Sequence, residues 1–272
     1  MVCPEILHVP LRDGQLLVGE CLVPPRPKLC AIVSHAMMVN RRTVTRALAP
    51  ALVGRGCATL AFDQRGHAES GPRTHEGARF GYDDLVEDVG AMIDAAQEHF
   101  PELPIALVGH SLFGHVALAH LARQGSAKVR AVVLLGCSVP SRARPLRIPI
   151  ALWHALSRLN GRFPARTLRV GSDDEPLSYI EDFVRWSRTR DWSSRDGFSY
   201  QSALARIDIP VLAIAGQRDY FLTPPLEAAR LVASIPRHEL VVVDATHMGL
   251  VLSAKPAWSY TAEFLLRVCA RP

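Results

Sequence analysis

The residues Gly109-His110-Ser111-Leu112 contain a serine that could act as a nucleophile, because they join an apolar run to a helical pattern. Residues 105–109 are typical of a buried strand, and the helical pattern begins at Leu112. A serine on such a sharp strand-to-helix turn exposes its hydroxyl above the sheet, and the new helix directs N–H groups toward a developing oxyanion. Serine is a weak nucleophile near neutral pH, so this chemistry also requires a base and a residue that orients the base.

Short apolar runs alternate with longer helical patterns along most of the chain, and these elements would have to position the serine. This alternation predicts βαβ units and an α/β fold with a mostly parallel sheet flanked by helices. Residues 6–10 and 15–23 are predicted to form a hairpin around Asp13-Gly14. The apolar runs cover residues 30–34, 58–62, 105–109, 129–135, 211–215 and 240–243, and the helical patterns cover 43–54, 82–100, 112–124, 225–234 and 257–270.

Residues 138–200 break this alternation. They contain many arginines, several prolines and three of the four tryptophans, and they are too long for a plain loop in a compact domain. Apolar residues such as Trp153 and Phe183 favour a segment that packs. We therefore predict a mostly helical cap or lid at 138–200 over the carboxyl edge of the sheet, and a core formed by 1–137 and 201–272. The alternative is an ordinary surface excursion.

Composition excludes several classes of function. The chain is 49% hydrophobic and 21% charged, so its 272 residues can bury a substantial core without disulfides or metals. The net charge of +5 is spread along the chain, whereas nucleic-acid binders concentrate basic residues in a stripe. We therefore expect a small-molecule substrate and no nucleic-acid partner.

The cysteines and the apolar runs predict the environment of the protein. The six cysteines form no CxxC pair, which favours buried free thiols in a reducing compartment. No secretory signal is visible and no apolar run is long enough to span a bilayer, so we expect a soluble, cytoplasmic protein. No metal-ligand spacing and no phosphate-binding glycine motif occurs, so we expect no metal and no cofactor. The oligomeric state is left open.

Four motifs together resemble the α/β-hydrolase superfamily over essentially the whole chain, and the resemblance implies the α/β-hydrolase fold and a serine hydrolase. The motifs are Ile32-Val-Ser-His35-Ala36-Met37, similar to the His-Gly-x turn after strand three; Phe62-Asp63-Gln64-Arg65-Gly66-His67-Ala68-Glu69-Ser70, similar to the Asp-x-Arg-Gly-x-Gly-x-Ser loop after strand four; the Gly-x-Ser turn at Ser111; and Gly216-Gln-Arg-Asp219, similar to the Gly-x-x-Asp loop after strand seven.

The resemblance implies a triad of Ser111 as nucleophile, Asp219 as orienting acid and His247 as base. Some relatives carry the acid just after strand six, but that segment reads Gly136-Cys-Ser-Val-Pro140 and contains no carboxylate. Asp219 therefore has no close rival. His247 lies on a loop between the strand at 240–243 and the last helix, from which it could reach Ser111.

The same resemblance assigns the oxyanion hole to the backbone N–H groups of Met37 and Leu112. His35, His110 and Phe113 are candidate pocket residues. For His35 the alternative role is to brace the backbone of its loop, which is also the role expected of His67, and for His110 and Phe113 it is core packing.

The chain departs from the family pattern at three positions. Phe113 stands where Gly-x-Ser-x-Gly has its second glycine, and Gly114 follows it. Phe113 must therefore be accommodated by different helix–strand packing or project toward the substrate. Ala36 and Ala68 also replace glycines, and alanine tolerates a positive φ less well than glycine. We therefore expect an altered geometry of the oxyanion loop.

The predicted reaction is a two-step acyl transfer to water. Ser111 would attack a carboxylic ester or thioester that carries an apolar group, and water would release the acid from the acyl-enzyme. An acyltransferase or a biosynthetic tailoring enzyme with the same triad is the alternative. A non-catalytic ligand-binding protein of this fold is less favoured, because such proteins usually lose triad residues.

Overall fold

The computed structural model describes residues 4–139 and 147–269 of the 272-residue chain. Its strands begin and end close to the predicted apolar runs. They are β1 (Glu5–Pro10), β2 (Leu16–Leu22), β3 (Leu29–Ser34), β4 (Cys57–Phe62), β5 (Ile105–His110), β6 (Ala131–Leu135), β7 (Arg162–Phe163), β8 (Glu175–Pro176), β9 (Val211–Gly216) and β10 (His238–Val243).

Eight of these strands form one sheet in the order β1-β2-β4-β3-β5-β6-β9-β10. The strands from β4 to β10 in this order pair in parallel, whereas β2 is antiparallel to both β1 and β4. The predicted mostly parallel sheet and the predicted hairpin at the N-terminus are therefore confirmed. The parallel strands are mostly apolar because helices cover both faces of the sheet, but the edge strand β10 begins with the exposed His238 and Glu239.

Helices alternate with the parallel strands as the sequence pattern predicts. The helices are α1 (Arg42–Thr45), α2 (Leu48–Val53), α3 (Tyr82–His99), α4 (Leu112–Gln124), α5 (Arg147–Asn160), α6 (Leu177–Thr189), α7 (Tyr200–Ala203), α8 (Pro225–Val232), α9 (Gly249–Leu252) and α10 (Lys255–Cys269).

The single helix predicted at 43–54 is wrong in one respect, because the structure divides it into α1 and α2 at Arg46 and Ala47. Pro50 explains the division. A proline ring clashes with the carbonyl four residues earlier, so a continuous helix through Arg46 is excluded. Pro50 is tolerated in the first turn of α2, where its missing N–H is not required.

The hydrophobic core has two layers, one on each face of the sheet. Neighbouring residues of β3 belong to opposite layers, because Ile32 packs with α3 and α4 while Val33 packs with α2 and α10. This alternation follows from the twofold period of a strand. The sheet therefore lies between two layers of helices, and the loops follow the ends of its strands.

The segment predicted as a helical insertion contains α5 and α6, joined through the short antiparallel pair β7–β8. The pair was not predicted, because each strand has only two residues. Trp186 of α6 is fully buried and packs edge-on against Tyr82 of α3, with ring centroids 4.7 Å apart. The segment therefore packs on the rest of the protein. Residues 140–146 of the predicted insertion lie outside the described residues.

Five of the six cysteines lie in the described residues, where each is buried and outside any disulfide bond: Cys21, Cys30, Cys57, Cys137 and Cys269. None of the helices between residues 4 and 269 that the structure describes combines the length and the apolar character needed to cross a bilayer.

Candidate active site

The loops that carry the predicted site residues open at one edge of the sheet. In the parallel register Ser34, the last residue of β3, pairs with Gly109 of β5, and His110 at the end of β5 pairs with Leu135 of β6. Gly216 and Val243 pair at the ends of β9 and β10. Because parallel strands end at the same edge, the loops after β3, β5, β9 and β10 are neighbours.

Ser111 occupies a strained turn between β5 and α4. Its φ of 51° and ψ of −108° lie outside the regions favoured by residues that carry a Cβ. The turn is held by the Ser111 amide, which donates to the Leu135 carbonyl at 2.9 Å. Strain of this kind persists only where the surrounding structure fixes it, and it is common at functional sites. This is the geometry expected of the predicted nucleophile.

Glycine makes this turn possible at two positions, and the second is not where the family motif has it. A Cβ on Gly109 would lie 2.4 Å from the Cα of Gly114, and a Cβ on Gly114 would lie 2.3 Å from Cys137 Sγ. Phe113 is fully buried in the core layer formed with α3 and α4. Of the two ways to accommodate Phe113, the structure shows altered helix–strand packing, with Gly114 making the close approach.

Asp219 and His247 form a hydrogen-bonded pair. The His247 Nδ1–H donates to Asp219 Oδ2 at 2.6 Å, which leaves Nε2 as the basic nitrogen. Asp219 Oδ1 also accepts from the amides of Leu222 and Thr223, each at 3.1 Å, and the Thr223 hydroxyl donates to Oδ2. Burial alone would raise the pKa of Asp219, but the contacts with His247 and Thr223 lower it below its ordinary value.

Gly136 follows β6, where some relatives carry the acid, and it packs closely against His247. A Cβ on Gly136 would lie 3.1 Å from His247 Nδ1, and Gly136 has a φ of 60°. A side chain at this position would therefore displace the imidazole. This contact agrees with the prediction of Asp219 as the acid.

His110, beside the nucleophile, contacts His247 from the other side. Its Nε2–H donates to the His247 backbone carbonyl at 3.2 Å, and the two rings are 4.8 Å apart. Burial and the nearby His247 hold the pKa of His110 well below its ordinary value, so the ring is neutral. His110 thus positions the loop of the predicted base.

The two predicted oxyanion donors, Met37 and Leu112, lie after β3 and at the first residue of α4. In the described part of the chain neither amide donates a hydrogen bond to another group, so both N–H groups remain available for an oxyanion. The strain expected at Ala36 lies instead at Met38, whose φ is 62°, while Ala68 has the positive φ of a glycine position at 40°.

Ser111 and His247 share this edge, but the described residues show no hydrogen bond between the serine hydroxyl and the imidazole. Such bonds are often long before substrate binds and tighten in the reacting complex.

His35 and His67 lie buried behind the predicted oxyanion loop after β3, with ring centroids 5.1 Å apart. His35 Nε2 accepts from the Gln64 amide at 3.0 Å, and its Nδ1–H donates to the Ala36 carbonyl at 2.8 Å. Burial and the neighbouring His67 lower the pKa of His35 to about 3, so it braces the loop as a neutral ring. These contacts favour bracing over direct contact with substrate.

One group of three potential metal ligands occurs in the described residues, on the outer strands: Glu5, Cys21 and His99, whose ligand atoms lie within 4.8 Å of one another. The spacing of these residues in the sequence does not reveal the group. Burial, together with Glu5, raises the pKa of the Cys21 thiol to about 11, so its sulfur is protonated near neutral pH. The Glu5 side chain is 62% exposed. We assign no metal to this group.

The sequence matches the family model described as serine aminopeptidase, S33, over residues 25–248. It is 32% identical to human monoglyceride lipase over 118 residues, which are 42% of this chain and 37% of that protein. It is 28% identical to monoacylglycerol lipase of Mycolicibacterium smegmatis over 189 residues, which are 65% of either protein. The chain thus spans 37% to 65% of the length of these curated relatives.

An esterase from Pyrococcus furiosus is similar in three dimensions. It aligns with a TM-score of 0.68 at 20% sequence identity, over 98% of this chain and 91% of that chain. At this identity the similarity concerns the fold, and it confirms the α/β-hydrolase fold that the motifs imply.

Proposed function

Because the chain belongs to the serine aminopeptidase S33 family of the α/β-hydrolase superfamily, we propose that it is a serine hydrolase that cleaves a carboxylic ester or thioester at Ser111. The observation that carries the proposal is the Asp219–His247 pair, at 2.6 Å, on the same sheet edge as the strained Ser111. A nucleophile, a base and a carboxylate that orients the base are the parts that acyl transfer requires.

In the first half-reaction the Ser111 hydroxyl oxygen bonds to the substrate carbonyl carbon while His247 Nε2 takes the hydroxyl proton. The carbonyl oxygen becomes an oxyanion, which the Met37 and Leu112 amides stabilise; loss of one such donor costs about 3 kcal/mol of transition-state stabilisation. The intermediate then expels the alcohol or thiol, which leaves with the proton from His247. Asp219 stabilises the imidazolium throughout.

In the second half-reaction water attacks the acyl-serine while His247 Nε2 takes one proton from the water. The oxyanion forms again, and its collapse breaks the bond between the acyl carbon and Ser111 Oγ. The serine recovers its proton from His247, and the carboxylic acid is released. The His110 contact with the His247 carbonyl keeps the base in place for both steps.

The lipase relatives support an ester as the substrate, whereas the family description names an aminopeptidase. Apolar side chains at the edge of the site, including the half-exposed Phe221 two residues after Asp219, support an apolar acyl or alcohol group. We further propose that the protein is cytoplasmic, which the buried, unpaired thiols of the described residues support. We also propose that it binds no nucleic acid.

The proposal is tested by labelling with a fluorophosphonate probe. Wild-type protein is expected to be labelled, and Ser111→Ala is expected to lose labelling and hydrolysis of p-nitrophenyl esters together. Ser157→Ala is the matched control, because the Ser157 hydroxyl donates to the Trp153 carbonyl of its own helix. Labelling of folded Ser111→Ala at the wild-type rate would rule out Ser111 as the nucleophile.

Two further assays separate the alternatives. Amino-acid naphthylamides, offered at the same concentration as the esters, test for an aminopeptidase; faster cleavage of the amides would contradict an esterase. Adding an alcohol or amine acceptor tests for an acyltransferase. If most of the acyl group is transferred to the added alcohol or amine, the protein is an acyltransferase and water is not its main acceptor.

A further inference from the structure

A short segment of the insertion, residues 171–175, reaches the loop that carries the predicted oxyanion donor. The Met38 carbonyl accepts from the amides of Ser172 and Asp173, at 2.8 and 3.1 Å. The Met38 amide donates to the carboxylate of Glu175. Both sides of the Met38 backbone are therefore held by a segment more than 130 residues away in sequence.

The same segment holds a second strained position, Ala68. Asp173 Oδ1 accepts from the Ala68 amide at 2.8 Å. Met38 and Ala68 both have positive φ values although neither is glycine. Such backbone conformations are strained and persist where neighbouring groups fix them. Residues 171–175 supply those neighbours.

Glu175 is fully buried, and its contacts are few and specific. Oε1 contacts the Met38 amide and, at 3.1 Å, His67 Nε2, which is also fully buried. His67 is held in turn by the Arg65 carbonyl at 2.9 Å from Nδ1. Burial lowers the pKa of His67, but the Glu175 charge outweighs it and raises the pKa to about 9. A buried ion pair is weak evidence for stability, so another role has to explain it.

The other carboxylate oxygen of Glu175 has no hydrogen-bond partner in the described residues. Leaving a buried carboxylate oxygen unsatisfied is unfavourable, and natural proteins break such rules mainly at functional sites. Gly171 completes the contact, because a Cβ there would lie 2.3 Å from the Met38 carbonyl oxygen. The backbone of Gly171 therefore packs directly against the Met38 carbonyl and leaves no room for a side chain.

We propose that Glu175, supported by His67, is a positioning residue for the oxyanion hole. By holding the Met38 amide it fixes the peptide that follows Met37, and with it the direction of the Met37 N–H. The inference rests on the proposed function, since it assumes that this N–H binds the oxyanion. The contact of Glu175 with the Met38 amide thus contributes to the rate of the reaction as well as to the structure of the insertion.

The test compares Glu175→Ala with Glu175→Gln. The alanine removes the acceptor of the Met38 amide, and we expect kcat to fall on the order of tenfold to a hundredfold with little change in KM. The glutamine keeps an acceptor oxygen and is expected to stay within about threefold of wild type. A trifluoromethyl ketone, which forms an oxyanion on Ser111, should lose affinity in Glu175→Ala by the same factor as kcat/KM.

Asp174→Asn is the matched control. Asp174 is as buried as Glu175 and adjacent to it, but it contacts Arg162 Nε and the Arg166 amide within the insertion. It should keep the wild-type kcat, even where it lowers the melting temperature. If Glu175→Ala does not fold, Gly171→Ala is the second variant, because its Cβ displaces the Met38 carbonyl, and kcat should again fall.

A purely structural role for Glu175 would show as equal losses in Glu175→Ala and Asp174→Asn, or as loss of activity with unchanged affinity for the trifluoromethyl ketone. Either result would overturn the inference. Failure of the proposed function is distinguishable, because it would appear as full activity in Ser111→Ala whatever the Glu175 variants show.

Discussion

The hydroxyl of Thr223 touches both members of the acid–base pair. It donates to Asp219 Oδ2 and lies 3.2 Å from His247 Nδ1, while the Thr223 amide donates to the other carboxylate oxygen. The carboxylate is therefore satisfied on both oxygens before it meets the imidazole. A carboxylate held in this way keeps its charge and its orientation during the reaction.

At this residue we expect Thr223→Val to lower kcat/KM by about tenfold, since a hydrogen bond to a charged group contributes about 1.5–3 kcal/mol. Thr223→Ser keeps the hydroxyl and should retain most of the activity. The measurement is the steady-state rate with a p-nitrophenyl ester. Equal losses in the two variants would rule out the hydrogen bond as the cause, because only Thr223→Val removes the hydroxyl.

Some residues of the candidate site can be predicted from sequence motifs, and others can be identified only in the folded structure. Ser111, Asp219 and His247 follow recognisable strands, so their shared edge was predictable from the pattern. Thr223 carries no motif of its own. The strained residue of the predicted oxyanion loop is Met38, not Ala36, because φ depends on tertiary contacts with the insertion that the local sequence does not contain.

At the scale of elements, the His67–Glu175 pair joins the loop after β4 to β8 of the insertion. The titratable groups that face His67 are His35, Asp173 and Glu175. The two carboxylates and the Arg65 carbonyl favour the charged form of His67, whereas burial favours its neutral form. The raised pKa of His67 therefore makes this contact between the two elements dependent on pH.

We expect the stability of the protein to fall as pH rises through the interval set by this pair. The pKa of His67 is about 9 in the folded protein against 6.5 ordinarily, so the folded state binds more protons in between. The stabilisation is fully present below 6.5 and is lost as pH approaches about 9. The melting temperature across this range measures it, and His67→Gln should flatten that part of the profile.

The control for this profile is His238→Gln, which changes an exposed histidine of β10. It should leave the slope as in wild type. A slope that persists in His67→Gln would assign the pH dependence to another group.

Elements with strong periodicity were predictable, and short or interrupted ones were not. Residues 112–124 were predicted as a helix and form α4 with the same bounds, and β5 extends one residue beyond its predicted run. The pairing of β7 with β8 depends on contacts between two residues on each side, which no local pattern specifies. Pro50 shows that one residue can divide an otherwise regular helical pattern.

Considered as a whole, the molecule is a sheet core on which the insertion packs through aromatic side chains. Tyr82 of α3 contacts Trp186, Trp192 and Tyr200, and all four are fully buried. Trp186 and Trp192 of the insertion are thus core residues. The covering of the site by the insertion stays a prediction.

The apolar edge of the site predicts a dependence on acyl chain length. We expect kcat/KM for p-nitrophenyl esters to rise several-fold from acetate to longer chains, at up to about 0.8 kcal/mol per buried methylene. Phe221→Gln should reduce this gain. Leu159→Gln, which changes a side chain 83% exposed on α5, should not. A flat response in wild type would contradict an apolar acyl pocket.

The fold was predictable at this scale because four motifs in the right order imply it, and the structural relatives confirm it. The contact between His67 and Glu175 was not predictable, because the two residues are 108 positions apart in the sequence. Loops from distant parts of the chain meet only after the sheet has formed, and a single sequence does not record which of their side chains pair.

The predicted division of the chain at residue 137 would give two exchangeable modules, a core that carries the chemistry and an insertion that covers the site. Glu175 crosses that division, because its carboxylate binds the Met38 amide of the other module. A chimera that received a foreign insertion would therefore change in turnover number as well as in selectivity. Recombination between relatives would succeed only where residues 171–175 and the Met38 loop are exchanged together.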